Sequence, residues 1–205
     1  PDGRYVDFGS MWECPNLLRL PDAGTGEEFD VLIFCPQGVG PRGDEFRNIF
    51  PCGYLVGHLD GTRFTPAGEF IELDSGFEFY APQIFTVAPG EPEQPPLLVG
   101  WVGNASEDAQ PSLADHGWVH TLTVPRDLTL RDGRLHQLPR RMSGGPVGLA
   151  LTGTSLGGAS RAIAELTGVR SFVLDLEIDQ TGDWSLRLGR PDGAQLVLAF
   201  ERGAL

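Results

Sequence analysis

Short apolar runs closed by glycine, proline or acidic turns recur along this chain, and that pattern predicts strands. The first two are Leu17 to Leu20 and Asp30 to Phe34, separated by Pro21 and a glycine-containing acidic turn. Gly53 to Leu59 follows and closes on Asp60-Gly61, a hairpin-type dipeptide. Further strands are expected at Phe70 to Leu73, Gln83 to Val87, Pro96 to Val102 and Trp118 to Val124. Leu128 to Leu130 then turns at Asp132-Gly133 into Arg134 to Gln137. Beyond these lie Ser171 to Ile178, whose alternation gives one polar and one apolar face, then Trp184 to Leu188 and Gln195 to Phe200. The segment from Arg161 to Leu166 is short and uncapped, and reads as strand or coil rather than helix. An all-β chain with strands so evenly spaced fits a sandwich, a barrel or a propeller. No repeat is visible in the text, so a propeller would repeat in topology only.

Composition sharpens this picture in a few places. The pattern shifts at Ser143-Gly144-Gly145-Pro146, which divides the chain into 1–142 and 143–205. The second part carries too few strands to form an independent core, and is expected to be an incomplete sandwich. Gly 28 and Pro 17 show no collagen-like period and serve as turn punctuation, while 40% hydrophobic residues suffice for a packed core. A net charge of −13 argues against a nucleic-acid partner. Lysine is absent and all 15 basic residues are arginine, which excludes Schiff-base chemistry from this chain. Cys14, Cys35 and Cys52 have neither zinc spacing nor the density of a disulfide scaffold, so a reduced, cytoplasmic setting is expected. No apolar run reaches the length of a membrane span and no leader-like segment opens the chain; no membrane partner is expected.

The candidate chemistry begins at Trp12-Glu13-Cys14-Pro15-Asn16. A carboxyl flanked by a tryptophan and a thiol just before a proline stands in a setting that can suit a proton donor. On the residues alone, a surface glutamate before a turn is the plainer reading. His58, His116, His120 and His136 show no metal spacing, and neither a metal nor a cofactor is expected. Gly38 to Gly43 lacks a strand-to-helix context and reads as a loop, not a phosphate cradle. Arg42 and Arg47 are candidates for a bidentate contact to a substrate phosphate.

Three blocks in order carry a resemblance. Trp12 to Asn16 resembles the acid/base motif of the glycoside hydrolase family of invertases, levanases, inulinases and sucrose-6-phosphate hydrolases. Leu73 to Gln83 and Gly117 to Leu130 resemble two further blocks of that family, and Arg134 to Pro139 also fits. The resemblance implies a partial five-bladed β-propeller in 1–142, followed by the start of a β-sandwich in 143–205. It implies hydrolysis of terminal β-fructofuranosides, sucrose or sucrose 6-phosphate, with retention of configuration and Glu13 as general acid/base. Cys14 would sit beside Glu13 at the substrate site and help set its environment, with a plain packed cysteine as the alternative. Glu78 and Tyr80 would face the sugar, although Glu78 stands where the family has aspartate and Tyr80 reads equally as a core aromatic. Ala105 stands near a place where many members carry a sugar-stacking tryptophan, while Trp101 and Trp118 read as packing residues. The family's nucleophilic and transition-state-stabilising aspartates sit in Asn-Asp-Pro-Asn and Arg-Asp-Pro motifs, and neither occurs in these 205 residues. The chain alone is therefore expected to be inactive, its missing blades supplied by another chain or segment. The alternative is a non-catalytic sugar-binding or interaction protein built on a degenerate propeller.

Overall fold

The computed structural model describes residues 5, 7–76, 78–87, 94–106, 111–140, 182–189, 193 and 195–200. The chain divides into two compact units, Pro1–Met142 and Ser143–Leu205. In the first, β1 (Trp12–Pro21), β2 (Glu28–Pro36), β3 (Gly53–Asp60) and β4 (Arg63–Pro66) form an antiparallel sheet in sequence order. A short β5 (Ile71–Glu72) adds to β3. The second sheet repeats that plan with β6 (Tyr80–Phe85), β7 (Leu97–Val102), β9 (Arg126–Arg131) and β10 (Arg134–Pro139), again neighbours in chain order. The short β8 (Thr121–Leu122) pairs with β7. In the second unit, β11 (Trp184–Gly189) pairs antiparallel with β12 (Gln195–Phe200). The expected strand at 171–178 and the segment 161–166 lie outside the described residues.

Most expected strands are present, with altered limits. β1 starts at Trp12 and β6 at Tyr80, both well before the apolar runs that announce them. Both expected hairpins form: Gly61-Thr62 joins β3 to β4, with Asp60 paired to Arg63 within the ladder, and Asp132-Gly133 joins β9 to β10 with φ of 51° and 70°, as a two-residue primed turn requires. The expected strand at 118–124 shrinks to β8, preceded by a short helix, α1 (Pro111–His116), that the pattern did not announce. Positive φ at Gly117 (74°) and His120 (65°) breaks the extended run there. β4 was also not anticipated. It is an edge strand ending on Pro66, a place where a missing N–H costs no ladder bond.

The alternation along β2 serves two cores. Val31, Ile33 and Cys35 face a core between the sheets with Leu18, Leu20, Tyr54 and Val56 of the first sheet. Leu98, Leu128, Leu130 and Leu135 of the second sheet close it. Phe34 and Leu32 face the other side, where Phe34 joins Tyr5, Phe8, Phe46, Leu55, Phe64 and Phe70. Trp12 stacks on Phe34 at 4.1 Å between ring centroids and donates its indole N–H to the carbonyl of Phe8.

A buried carboxylate ties the sheets at the far ends of their strands. Asp22, just after β1, accepts N–H bonds from Gly24 (2.8 Å) and Thr25 (3.2 Å) in its own turn. It also accepts from Asp132 (3.1 Å) and Gly133 (2.7 Å) in the β9–β10 hairpin. The bond from Gly133 is the foremost reason its carboxyl lies below the ordinary value of 3.8, with those from Gly24, Asp132 and Thr25 adding to it. Asp30 is likewise held low, first by the side-chain hydrogen bond from Arg19 at 2.9 Å and then by the N–H of Leu59.

Two expectations follow. Both carboxyls have folded-state values below their unfolded ones, so their stabilisation is present above the ordinary carboxylate range and lost as pH falls through the folded values. The denaturant midpoint should hold from neutral pH to about pH 5 and fall steeply below about pH 4, with Asp22→Asn reducing that slope. Leu98→Ala, at a fully buried position between the sheets, should cost about 2–5 kcal/mol in equilibrium unfolding.

Candidate active site at two bulged strands

The site is built where β1 and β6 both break register. The pairing of β1 with β2 slips between Glu13 and Asn16, and that of β6 with β7 slips between Tyr80 and Gln83. In each slip a small residue adopts positive φ, Cys14 at 49° and Ala81 at 47°, and a proline follows it. Proline brings no N–H to the ladder, so the bulge forms where a ladder bond is already lost. Glu13-Cys14-Pro15-Asn16 and Tyr80-Ala81-Pro82-Gln83 are thus one local structure used twice, a short repeat hidden by different side chains.

Asn16 joins the two bulges. Its Nδ2 donates to the carbonyl of Cys14 (2.9 Å) in its own bulge and to that of Pro82 (3.0 Å) in the other. Its Oδ1 accepts the N–H of Ile84 at 3.2 Å. The first residues of the bulges then meet side by side: the Tyr80 hydroxyl donates to Oε2 of Glu13 at 2.5 Å.

A third residue completes the cluster. Gln37 Nε2 donates to Oε2 of Glu13 (3.0 Å) and to the Tyr80 hydroxyl (2.5 Å). Its backbone is fixed on both sides, since its N–H donates to the carbonyl of Met11 and its carbonyl accepts the N–H of Ser10, both at 2.8 Å. Gly9 makes that approach possible. Its φ is +81°, and a Cβ there would stand 2.8 Å from the Gln37 carbonyl oxygen.

Glu13, Tyr80 and Gln37 line a cavity of about 410 Å³ with Ser10, Met11, Phe50 and Ala105. Burial first, and the hydrogen bond to Glu13 second, push the Tyr80 phenol well above its ordinary value, so it remains a proton-bearing donor. Behind the cavity wall lie the thiols. Cys14 packs against the inter-sheet core and burial pushes it up. Cys52 donates to Cys35, which lowers Cys35, while burial above all raises Cys52.

Of the residues singled out in the sequence, Glu13 and Tyr80 come together on the cavity wall, and Ala105 reaches its rim. Cys14 and Glu78 are not among the lining residues, and neither are Trp101 and Trp118. Trp101 packs edge-on against Tyr80 and His120, and Trp118 is half exposed. The expected crowding of Glu13 by Trp12 does not occur. Strand alternation sends Trp12 to the aromatic core, so the carboxylate's partners come from β6 and the end of β2. Arg42 lies over the rings of Phe8 and Phe46, each at 5.7 Å, and Arg47 pairs with Asp44; neither lines the cavity. Sequence reading missed Gln37 and Phe50. The signal for Gln37 was a polar amide following Cys35-Pro36 at the end of a buried strand and preceding Gly38. Among the described residues no group of three or more His, Cys, Asp or Glu is arranged to hold a metal.

A family model described as glycosyl hydrolases family 32 N-terminal domain matches residues 2–139. A sucrose-6-phosphate hydrolase of Staphylococcus xylosus is 44% identical over 134 residues, 65% of this chain and 25% of that protein. One from Bacillus subtilis is 41% identical over 136 residues, 65% of this chain and 26% of that protein. Among solved structures, a Bombyx mori β-fructofuranosidase aligns with a TM-score of 0.54 and 34% identity, over 66% of this chain and 27% of that one. A mutant of that enzyme in complex with sucrose aligns at 0.53 with 34% identity, over 65% of this chain and 26% of that one. The chain spans about a quarter of the length of the curated relatives it matches.

If Asn16 joins the bulges as described, Asn16→Ala should cost about 1–3 kcal/mol, since the Ile84 N–H and two carbonyls lose their partner. The loss would be read in denaturant unfolding. An unchanged midpoint would show that the two bulges hold together without it.

Proposed function

The chain belongs to glycosyl hydrolase family 32, and on that premise we propose that it carries the general acid/base of a retaining β-fructofuranosidase, with Glu13 in that role. The observation that carries the reading is a carboxylate, Glu13, on the wall of a cavity, held by two neutral donors, Tyr80 and Gln37. The two sheets of the first unit are read as consecutive blades of a five-bladed propeller, with β1 and β6 as their innermost strands. The second unit, with β11 and β12, is read as the start of a β-sandwich.

The reaction has two steps. In the first, a carboxylate nucleophile bonds to the anomeric carbon of fructose, the glycosidic C–O bond breaks, and the Glu13 proton passes to the departing oxygen. In the second, water returns a proton to Glu13, its oxygen bonds to the anomeric carbon, and the nucleophile leaves. The two carboxylates must lie roughly 5–5.5 Å apart. Among the described residues lining the cavity, Glu13 is the one carboxylate. The nucleophile is therefore assigned to a part of the enzyme carrying the Asn-Asp-Pro-Asn motif, on the same or another chain.

Sucrose or sucrose 6-phosphate is the proposed substrate. Support comes from the names of the Staphylococcus xylosus and Bacillus subtilis relatives and from the sucrose complex of the Bombyx mori mutant. No arginine stands among the described lining residues, so a substrate phosphate would be bound from elsewhere. The three free thiols suit a reducing, cytoplasmic compartment, which cell fractionation would test.

The test is fructose release from sucrose, sucrose 6-phosphate, inulin and levan by the enzyme that includes this chain and both aspartate motifs. Sucrose or its 6-phosphate should be cleaved fastest, and fructans far outpacing both would refute the substrate assignment. Glu13→Gln should lower kcat about 10²–10⁴-fold. Undiminished activity would remove Glu13 from the reaction.

A further inference from the structure

The two hydrogen bonds to Glu13 from described residues end on the same oxygen. We propose that Gln37 is a positioning residue for the acid/base: with the Tyr80 hydroxyl it occupies Oε2 of Glu13, leaving Oε1 as the oxygen that gives and takes the proton. This inference rests on the acid/base reading of Glu13.

Gln37 Nε2 carries two hydrogens, and the structure uses both, one on Glu13 and one on the Tyr80 hydroxyl. The hydroxyl, having accepted from Gln37, points its own hydrogen at Oε2. The three groups form a closed ring in which every donor is committed. When Glu13 is a carboxylic acid, the oxygen receiving two donors is its carbonyl oxygen, and the acidic hydrogen sits on Oε1. When Glu13 is a carboxylate, Oε2 still receives the same two donors. The proton can leave and return at Oε1 without either donor turning. Such a site needs no reorganisation at the moment of transfer. A flipped amide would set the Gln37 carbonyl oxygen against the carboxylate and leave the phenol oxygen without its donor.

The backbone keeps Gln37 in place for this task, as the bonds to Ser10 and Met11 extend the β1–β2 ladder past the bulge. Three titratable groups face Glu13: Tyr80 of β6, Cys14 of its own strand and Cys35 of β2. Burial keeps Tyr80 and Cys14 in their protonated forms. Cys35 is the neighbour whose ionisation would add charge, so the pH profile is also recorded in a Cys35→Ala background.

The experiment compares the active enzyme with Gln37→Met, which keeps the length of the side chain and removes both donors. Rates are measured against pH on sucrose and on an aryl β-fructofuranoside, whose phenolate leaves without a proton. Gln37→Met is expected to lower kcat/KM on sucrose at least roughly tenfold, chiefly through kcat, and to spare kcat/KM on the aryl substrate, since that ratio excludes the second step, in which Glu13 serves both substrates as base. The alkaline limb on sucrose should move up, because a carboxylate deprived of a donor holds its proton more firmly. Equal losses on both substrates with an unmoved limb would overturn the proposal, since a packing defect predicts that pattern. If Gln37→Met lacks a cooperative melt, Gln37→Asn withdraws the amide by one methylene and is judged by the same two readouts. An enzyme that releases no fructose from either substrate would refute the proposed function, and the role of Gln37 with it. An active enzyme with an unaltered Gln37→Met profile would refute the positioning role alone.

Discussion

The carboxamide of Asn16 spans two bulged strands, and the geometry of the candidate site depends on that span. Without it, Glu13 of β1 and Tyr80 of β6 would be brought together only by the packing between the two sheets. Each bulge costs something: Cys14 and Ala81 both take a left-handed backbone conformation that non-glycine residues seldom adopt. The structure sustains that strain because bulge, proline and amide are coupled. The slip in register turns a backbone carbonyl toward the neighbouring strand, and Asn16 takes one such carbonyl from each bulge. An aspartate at that position would offer no donor to either carbonyl.

Packing then holds this junction at one end and Asp22 holds the other. The inter-sheet core places Leu18 and Leu20 of β1 with Leu128 and Leu130 of β9, so the sheets cannot slide without opening it. At the strand ends remote from the bulges, Asp22 collects donors from two turns and fixes the separation there. A cavity wall suspended between two such ties can hold a short carboxylate–phenol contact without rearranging the core.

The legible part of the structure is the part written in local pattern. Alternation in Asp30 to Phe34 and the dipeptides Asp60-Gly61 and Asp132-Gly133 announce strands and hairpins because they act within a few residues. Glu13 was found through resemblance, not physics, since its partners are Tyr80 and Gln37, 67 and 24 residues away. No periodicity carries such a contact. Trp12 misled for a related reason: adjacency in sequence suggests crowding, whereas alternation along a strand sends neighbours to opposite faces. The starts of β1 and β6 were missed because proline argues against a strand, and here it marks a bulge within one. The repeat of Glu13 to Asn16 in Tyr80 to Gln83 escaped notice because only the proline and the side-chain amide are shared in kind.

Neutral donors suit the chemistry assigned to Glu13 better than a cation would. A lysine or arginine hydrogen-bonded to the carboxylate would lower its proton affinity by about 1–3 pH units and favour the ionised form at the moment it must donate. The phenol of Tyr80 and the amide of Gln37 orient the group by direction instead of by charge. Burial raises the Tyr80 phenol, which keeps its hydrogen on the ring oxygen and its role as donor unchanged across the working range. The cavity wall follows the same rule, since the described lining residues include no cation. A carboxyl that must both give and recover a proton is served by partners whose own charge does not change, and this site supplies two of them on one oxygen.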